Sequence, residues 1–470
     1  MVVGDFAHEI EVVVIGGGPG GYHAAVRAAQ LGKEVAIIEQ NKTGGMCLHD
    51  SCIPSKLFTE AAGRIQKAKE MEFFGIHGNG EPSIDLKTLQ ERKDKIIGSL
   101  NQGVEALLKK YKIERIQGTA SFISDTEIGV ERQDAFEKYK FEQAIIAAGA
   151  SYKLPEEIPA NNERIILGAS LYRLEEIPKH LILYGSDYTT LEAASVFASF
   201  GSKISMILDK EKREFSFDNS INKELSRLLK KRKIKVYKEA KITNVNASKE
   251  DVHVTVVTSK GETTIEASHL FAAGEQSANT NLLQLEACGV EKTENGFIPI
   301  TNTTQTSKSH IYAVGDVTAS GSLAVEAIKQ GKAAGEQAAG KNSEWEPGLC
   351  PVVVHTVKPI AVVGLTEEEA LQEGHDILIS QFPLRANGYA ALSNEPEGLV
   401  KIISEKETDV ILGYHAIGYG SAEMITAAVQ VLEMGGRVED VTYPYYPHPS
   451  INEAWLEAAE GLLGKAVHQP

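Results

Sequence analysis

The sequence predicts an α/β fold with two strand–turn–helix units, and three observations carry that expectation. The run IEVVVI at 10–15 leads directly into GGGPGG and then into YHAAVRAAQLG, which has helical composition. Further on, the apolar strand HLILYG precedes TTLEAASVFASFG, a second helical stretch that ends at Gly201. A chain of 470 residues is too long for one core, and about 150 residues per domain implies roughly three domains.

Composition narrows the function classes. The chain is 42% hydrophobic and 24% charged. It has no apolar run near ~18 residues and no basic, then hydrophobic, leader, so it reads as soluble, unsecreted and cytoplasmic, with no membrane insertion. A formal charge of -16 disfavours a nucleic-acid groove, which needs a basic surface to displace counterions. Cys47, Cys52, Cys288 and Cys350 are too few and too scattered for a disulfide framework. In a reducing compartment, a close pair of cysteines points to redox chemistry or to a metal.

The first turn has the spacing of a dinucleotide site. Gly16, Gly18 and Gly21 stand at the G-x-G-x-x-G positions. The first glycine serves the tight turn, the second the approach of a pyrophosphate, and the third the packing of helix on strand. The phosphates then face a helix N-terminus, where unpaired N–H groups and the helix dipole favour anions. The next apolar run, EVAII, ends in Glu39, about 20 residues downstream, where an acid can accept hydrogen bonds from ribose hydroxyls.

The segment GGMCLHDSCIPSK at 44–56 places Cys47 and Cys52 five positions apart. An ideal helix would separate them by ~7.5 Å along its axis, beyond the ~7 Å Cα limit for a disulfide. A bridge therefore requires a tightened turn. Gly44 and Gly45 loosen the approach, and Pro54 suits the first turn of a following helix. Sulfurs at a helix start have lowered thiol pKa values. The rival reading is a zinc half-site, for which His49 is the one nearby extra ligand.

This segment resembles the redox-active stretch of the FAD-dependent pyridine nucleotide disulfide oxidoreductases, nearest to the dihydrolipoamide dehydrogenases, and the likeness extends over nearly the whole chain. It implies that Cys47 exchanges with a substrate disulfide and that Cys52 contacts the flavin. Lys56 lies beside the flavin N5 and pairs with Glu192, and Gly45 lies against the cofactor. QGTASF supplies Gly118 near the adenine, and FEQAIIAAGA, closing the first FAD lobe, supplies Gly149. The stretch 310–340 resembles the second FAD lobe, with Asp316 on the ribityl chain and Ala324 by the flavin. YYPHPSINEAW resembles the family's acid/base dyad, here His448 and Glu453. A carboxylate on one imidazole nitrogen fixes the tautomer and raises basicity, leaving the other nitrogen to take a thiol proton. Tyr446 and Ser450 depart from the histidine and threonine usual there. In the family this dyad serves the partner subunit's cysteines, which implies a homodimer.

The second turn looks damaged. It reads GSDYTT, with Gly185 kept, Asp187 in the second glycine place and Thr190 in the third. A carboxylate there obstructs the approach of phosphates and repels them, by about 3 kcal/mol per charge pair at ~5 Å before screening. In FAAGEQSANTNLLQL, Glu275 follows Gly274 where the family carries an arginine, and the spacing to Asn279 is one residue longer. Tyr188 aligns with a tyrosine that, in glutathione reductases, covers the flavin until nicotinamide displaces it. Asp209 remains as a candidate ribose acid, with Lys210, Lys212 and Arg213 nearby. NAD(H) use is therefore in doubt.

The resemblance implies four blocks: a first FAD lobe (1–150), a degenerate NAD(P)-type domain (151–272), a second FAD lobe (273–348) and an α+β dimerisation domain (349–470). The expected activity is a flavin-dependent dithiol/disulfide oxidoreductase. Its partner is a small-molecule or protein-bound thiol, a lipoyl group by default, and its electron donor or acceptor is other than nicotinamide. The alternatives are a conventional NAD-dependent dihydrolipoamide dehydrogenase of a multienzyme complex and a non-enzymatic FAD-bearing redox sensor or assembly subunit.

Overall fold

A computed structural model describes residues 7–78, 80–132, 135–160, 162–208, 215–319, 323–346 and 348–469. It divides into two compact units: Met1–Pro54, Gln90–Lys153 and Glu275–Pro347 form one, and Ser55–Leu89, Leu154–Gly274 and Gly348–Pro470 the other.

The first unit is organised by a seven-stranded sheet. Ala7–Ile15 lies parallel between Val35–Glu39 and Ala135–Ile146, with Val14 opposite both Ile37 and Ile145. Glu114–Gln117 and Ile311–Ala313 add parallel strands beyond these two. Thr119–Phe122 and Glu127–Arg132 extend the sheet as an antiparallel hairpin. The first strand begins three residues before the apolar run that announces it, because Ala7, His8 and Glu9 still pair with Lys138, Tyr139 and Lys140. Val12, Val13 and Val14 are all fully buried, as in a parallel sheet covered on both faces, which explains why they read as a continuous run rather than an alternation. Ala24, Ala25 and Ala28 of the helix Pro19–Gln30 share one core with Ala334 and Ala338 of the helix Ala324–Ala338.

In the second unit, five parallel strands run in the order Lys235–Tyr237, Lys203–Ile207, His180–Tyr184, His269–Ala272 and Ile165–Leu167. The helix Tyr188–Ser199 follows the central strand, and Leu191, Ala193, Ala194, Val196 and Phe197 are buried along it. A separate five-stranded antiparallel sheet, from Val352–Val354 to Ile411–Gly418, carries the helices Ser421–Glu433 and Glu453–Leu462. Among the described residues no helix is long and apolar enough to cross a membrane.

Candidate active site

The first glycine turn leaves its helix start bare. Gly16 sits at φ +102, and a Cβ there would lie 2.3 Å from the Ala147 carbonyl oxygen. Gly18 is the N-cap of Pro19–Gln30 and has no side chain to satisfy the first N–H groups. Opposite it, Gly45 at φ +59 comes so close that its Cβ would stand 2.7 Å from the Gly18 Cα. Two glycines thus face each other where backbone must stay accessible. The Glu39 carboxylate accepts from Gly17 N at 2.7 Å and from Asn41 N at 2.8 Å, lacing the turn to the end of the second strand. Gly118 donates its N–H to the Glu39 carbonyl at 3.1 Å, and Gly149 accepts from Asn279 N at 3.0 Å.

Asp316 lies in the short turn Gly315–Val317, and Ala324 opens the helix that follows. Burial pushes the Asp316 carboxyl from 3.8 up to about 6, with its own backbone N–H as the opposing influence. A sheltered carboxylate of this kind suits hydroxyl donors such as those of a ribityl chain. The bare helix start suits a pyrophosphate. On both counts the residues present fit FAD.

The cysteine pair lies across a break between two helices, Gly45–His49 and Cys52–Lys69. Asp50 N and Ser51 N both donate to the Met46 carbonyl at 2.9 Å, so the chain between the two cysteines is drawn into a turn. Cys47 and Cys52 are half-buried. Cys52 is the first residue of its helix and Pro54 the third, where a missing N–H leaves no gap in the hydrogen bonding. His49 Nε2 donates to the Thr43 carbonyl at 2.8 Å, so that nitrogen is engaged by backbone and not turned to a metal. Among the described residues, the cluster of three metal-ligating groups is Asp251, His253 and Glu266, and it includes neither cysteine. Composition gave no sign of Tyr22, whose phenol is pushed up by burial and then by the charge of Cys47.

In the second unit, Lys56 Nζ donates to both carboxylate oxygens of Glu192, at 2.9 and 3.1 Å. Glu192 is buried and also accepts from His355 N at 3.0 Å. Burial, then the charge of Lys56, holds the His355 imidazole below its usual value. His448 Nδ1 bonds Glu453 Oε1 at 2.8 Å, and Ser450 N donates to the other Glu453 oxygen at 2.8 Å. Burial raises the Glu453 carboxyl, but the bonds from His448 and Ser450 outweigh it and hold the group below its ordinary value. The His448 side chain is 82% exposed, and its bond to Glu453 is made by Nδ1 and not by Nε2. Tyr446 donates to the Val441 carbonyl at 2.9 Å, which serves the loop and not the dyad.

Residues 10–331 match the pyridine nucleotide-disulphide oxidoreductase family, and 350–459 match that family's dimerisation domain. The chain belongs to this family. Dihydrolipoyl dehydrogenase of Geobacillus stearothermophilus is 35% identical over 470 residues, covering 100% of this chain and 99% of the relative. Among solved structures, LpdA from Mycobacterium tuberculosis aligns with a TM-score of 0.89 at 25% identity, over 96% of this chain and 100% of that one. The HOCl-induced flavoprotein disulfide reductase RclA from Escherichia coli aligns at 0.85 and 25% identity, over 96% and 99%. The protein is a flavin-dependent disulfide oxidoreductase of the dihydrolipoyl dehydrogenase type.

This oxidoreductase treats its second turn differently from its first. Gly185 keeps a positive φ of +140, but the N-cap of Tyr188–Ser199 is Asp187. The Asp187 carboxylate accepts from Thr190 N at 2.9 Å, from Thr190 Oγ1 at 2.8 Å, and from Thr189 Oγ1 at 2.9 Å to each oxygen. Thr190, in the third glycine place, is fully buried. The side chain thus occupies one backbone N–H of the helix start, that of Thr190, as well as the hydroxyls of Thr189 and Thr190. Lys56 Nζ lies 5.9 Å from the ring centroid of Tyr188, the first residue of this helix. Glu275 begins a short strand in register with Lys153. Asp209, Lys210, Lys212 and Arg213 lie outside the described residues.

Proposed function

We propose that the chain moves two electrons between a dithiol/disulfide substrate and bound FAD through Cys47 and Cys52, and that the flavin exchanges electrons with a partner other than nicotinamide. The observation that carries the second half is the self-capped helix start at Asp187. A carboxylate already bonded to those donors stands where the family's pyrophosphate belongs. An arriving phosphate would have to displace those bonds and tolerate the charge.

In the thiol half-reaction, His448 Nε2 takes the proton of one substrate thiol, with Glu453 on Nδ1 holding the ring and stabilising the imidazolium. The substrate thiolate attacks Cys47 Sγ. The Cys47–Cys52 bond breaks, a mixed disulfide forms, and Cys52 leaves as a thiolate. The second substrate thiol attacks the substrate sulfur of that mixed disulfide, its proton passing to Cys47 Sγ as the Cys47–substrate bond breaks, so that the product disulfide forms, Cys47 is released as a thiol, and the pair has gained two electrons. FAD, when bound, supplies the two-electron acceptor that returns the pair to the disulfide. Reduction of a substrate disulfide runs the same steps backward.

Gly16, Gly18, Gly21, Glu39, Gly45, Gly118, Gly149, Asp316 and Ala324 would hold that FAD, with the Lys56–Glu192 pair at its reactive edge. The exposure of His448 supports its service to a second copy of the chain, in a homodimer built on the dimerisation domain. The four-block division, the cytoplasmic location and a lipoyl substrate belong to the same reading, the last because relatives matched over their full length are dihydrolipoyl dehydrogenases.

The deciding experiment is anaerobic. Reduced lipoamide, NADH and NADPH are added separately to the yellow holoprotein, and the long-wavelength thiolate–flavin absorbance is followed. Reduced lipoamide is expected to raise that band within seconds, and NADH at micromolar concentration to leave the flavin oxidised. Prompt bleaching by NADH would instead establish a conventional NAD-dependent enzyme. No band with any thiol, together with normal cellular function of Cys47→Ser, would favour the sensor reading.

A further inference from the structure

We infer that His49, which lies between the two cysteines, is a positioning residue: its Nε2–H clips the redox loop to a buried hub at Thr43 and so holds Cys47 within bridging reach of Cys52. This deepens the reading above and rests on the pair being redox-active.

The helix carrying Cys47, Gly45–His49, is five residues long, far below the ~12 residues at which a helix persists on its own. Its geometry must therefore be imposed from outside. At its start, Gly44 N donates to the Gly17 carbonyl at 2.7 Å. At its end, three residues before the helix of Cys52 begins, His49 anchors it to the Thr43 carbonyl at 2.8 Å.

Thr43 is a fixed point. It is fully buried. Its carbonyl also accepts from Asn101 Nδ2 at 2.7 Å, and its hydroxyl donates to Glu105 Oε1 at 2.7 Å while accepting from Asn101 Nδ2 at 3.0 Å. Glu105 is paired in turn with Arg115 Nε at 3.3 Å, and Arg115 Nη2 donates to the Asn41 carbonyl at 3.2 Å. The loop 41–43, the helix Leu86–Lys110 and the strand Glu114–Gln117 thus converge on the group that His49 holds.

The consequence falls on the dithiol state. When the sulfurs are bonded, the bond itself keeps the loop closed. When they are reduced, the clip and the two backbone bonds to the Met46 carbonyl do so, and the two thiols keep a high effective concentration. Without it the reduced loop gains conformational freedom, and re-forming the disulfide must first overcome that entropy.

The test equilibrates the holoprotein with glutathione buffers of graded redox ratio, traps thiols by alkylation, and reads the fraction of Cys47–Cys52 disulfide by mass spectrometry. His49→Leu removes the donor. His49→Gln keeps an N–H at similar reach and removes the imidazole. His49→Leu is expected to lower the disulfide equilibrium constant about fivefold, the worth of one ordinary hydrogen bond, and His49→Gln to stay within about twofold of wild type. If His49→Leu does not hold flavin, Asn101→Leu, which strips the second donor from the Thr43 carbonyl, is expected to shift the equilibrium in the same direction. A His49→Leu curve superimposed on wild type, a His49→Gln curve as displaced as His49→Leu, or an unshifted Asn101→Leu would each overturn the clip. Absence of any Cys47–Cys52 disulfide in wild type at every ratio would overturn the redox role itself.

Discussion

The two strand–turn–helix units of this chain meet the same problem, unsatisfied N–H groups at a helix start, in opposite ways. At Gly18 the cap has no side chain, and Gly45 faces it across a gap that a methyl group would close. At Asp187 the cap is a carboxylate that takes three donors from the two threonines following it. The first start is left for an external anion, whereas the second carries its own. The difference teaches that a strand–turn–helix unit can keep its strand, its helix and its first glycine and yet either leave its helix start uncapped or cap it with its own side chain.

The largest expected effect comes from moving the second solution into the first site. The backbone of Gly18, at φ -69 and ψ -176, admits any residue, and an added Cβ would meet Gly45 Cα no closer than 3.9 Å. Gly18→Asp should therefore fold, cap its helix, and lose flavin. Repulsion of about 3 kcal/mol per charge pair, added to the loss of donors, predicts more than a hundredfold weakening. Flavin content after purification and reconstitution of the apoprotein measure it, and a stoichiometrically yellow variant would break the comparison.

Much of this was legible in the chain because the decisive spacings are short. Gly16 to Gly21 and His448 to Glu453 are local patterns, and the latter two side chains are indeed bonded. Asp187 was legible as a charge, yet its more informative signal was positional: an aspartate three residues before Thr190, at the start of an apolar helix, reads as an N-cap. Contacts between distant segments left no such mark. Glu39 on Gly17 spans 22 residues, Asn101 on Thr43 spans 58, and Lys56 on Glu192 spans 136. Spacing reaches none of these, and the Lys56–Glu192 pairing was expected through family resemblance alone. The lacing of the glycine turn by Glu39 and the Thr43 hub depend on which strands become neighbours, which only the folded sheet determines.

A second pair of aspartates sharpens the comparison. Asp187 has its donors within the chain, whereas Asp316 has been carried from water with little to replace it, and burial pushes it from 3.8 up to about 6. A carboxyl whose folded pKa lies above its unfolded value contributes most stability below the unfolded pKa and loses it as pH rises through the folded one. The flavin-free protein should therefore carry an Asp316 burden above pH about 6 that is gone near pH 4, amounting at most to about 3 kcal/mol. Asp316→Asn removes that dependence. In thermal melts of flavin-free protein, the variant should exceed wild type at pH 7, with the difference shrinking toward pH 4. A constant difference across that range would show that Asp316 does not bear the charge in this way.

The smallest effect, and the most direct probe of the second site, is the reverse exchange. Asp187→Gly removes the charge and returns the donors, at a helix cost of a few tenths of a kcal/mol because glycine is a tolerable cap. The side chain of Thr190 remains in the third glycine place, so full family affinity is not expected. A gain of about tenfold in NADH binding is, corresponding to roughly half of one charge-pair repulsion after screening. Asp187→Asn separates the two components: it keeps an oxygen to cap the helix and discards the charge, and should recover only part of the gain. NADH fluorescence titration and the rate of flavin reduction under anaerobic conditions provide the measurement. If Asp187→Gly binds NADH no better than wild type, the self-capped helix start is not what excludes nicotinamide. If wild type already binds it tightly, the two turns differ in structure without differing in what they hold.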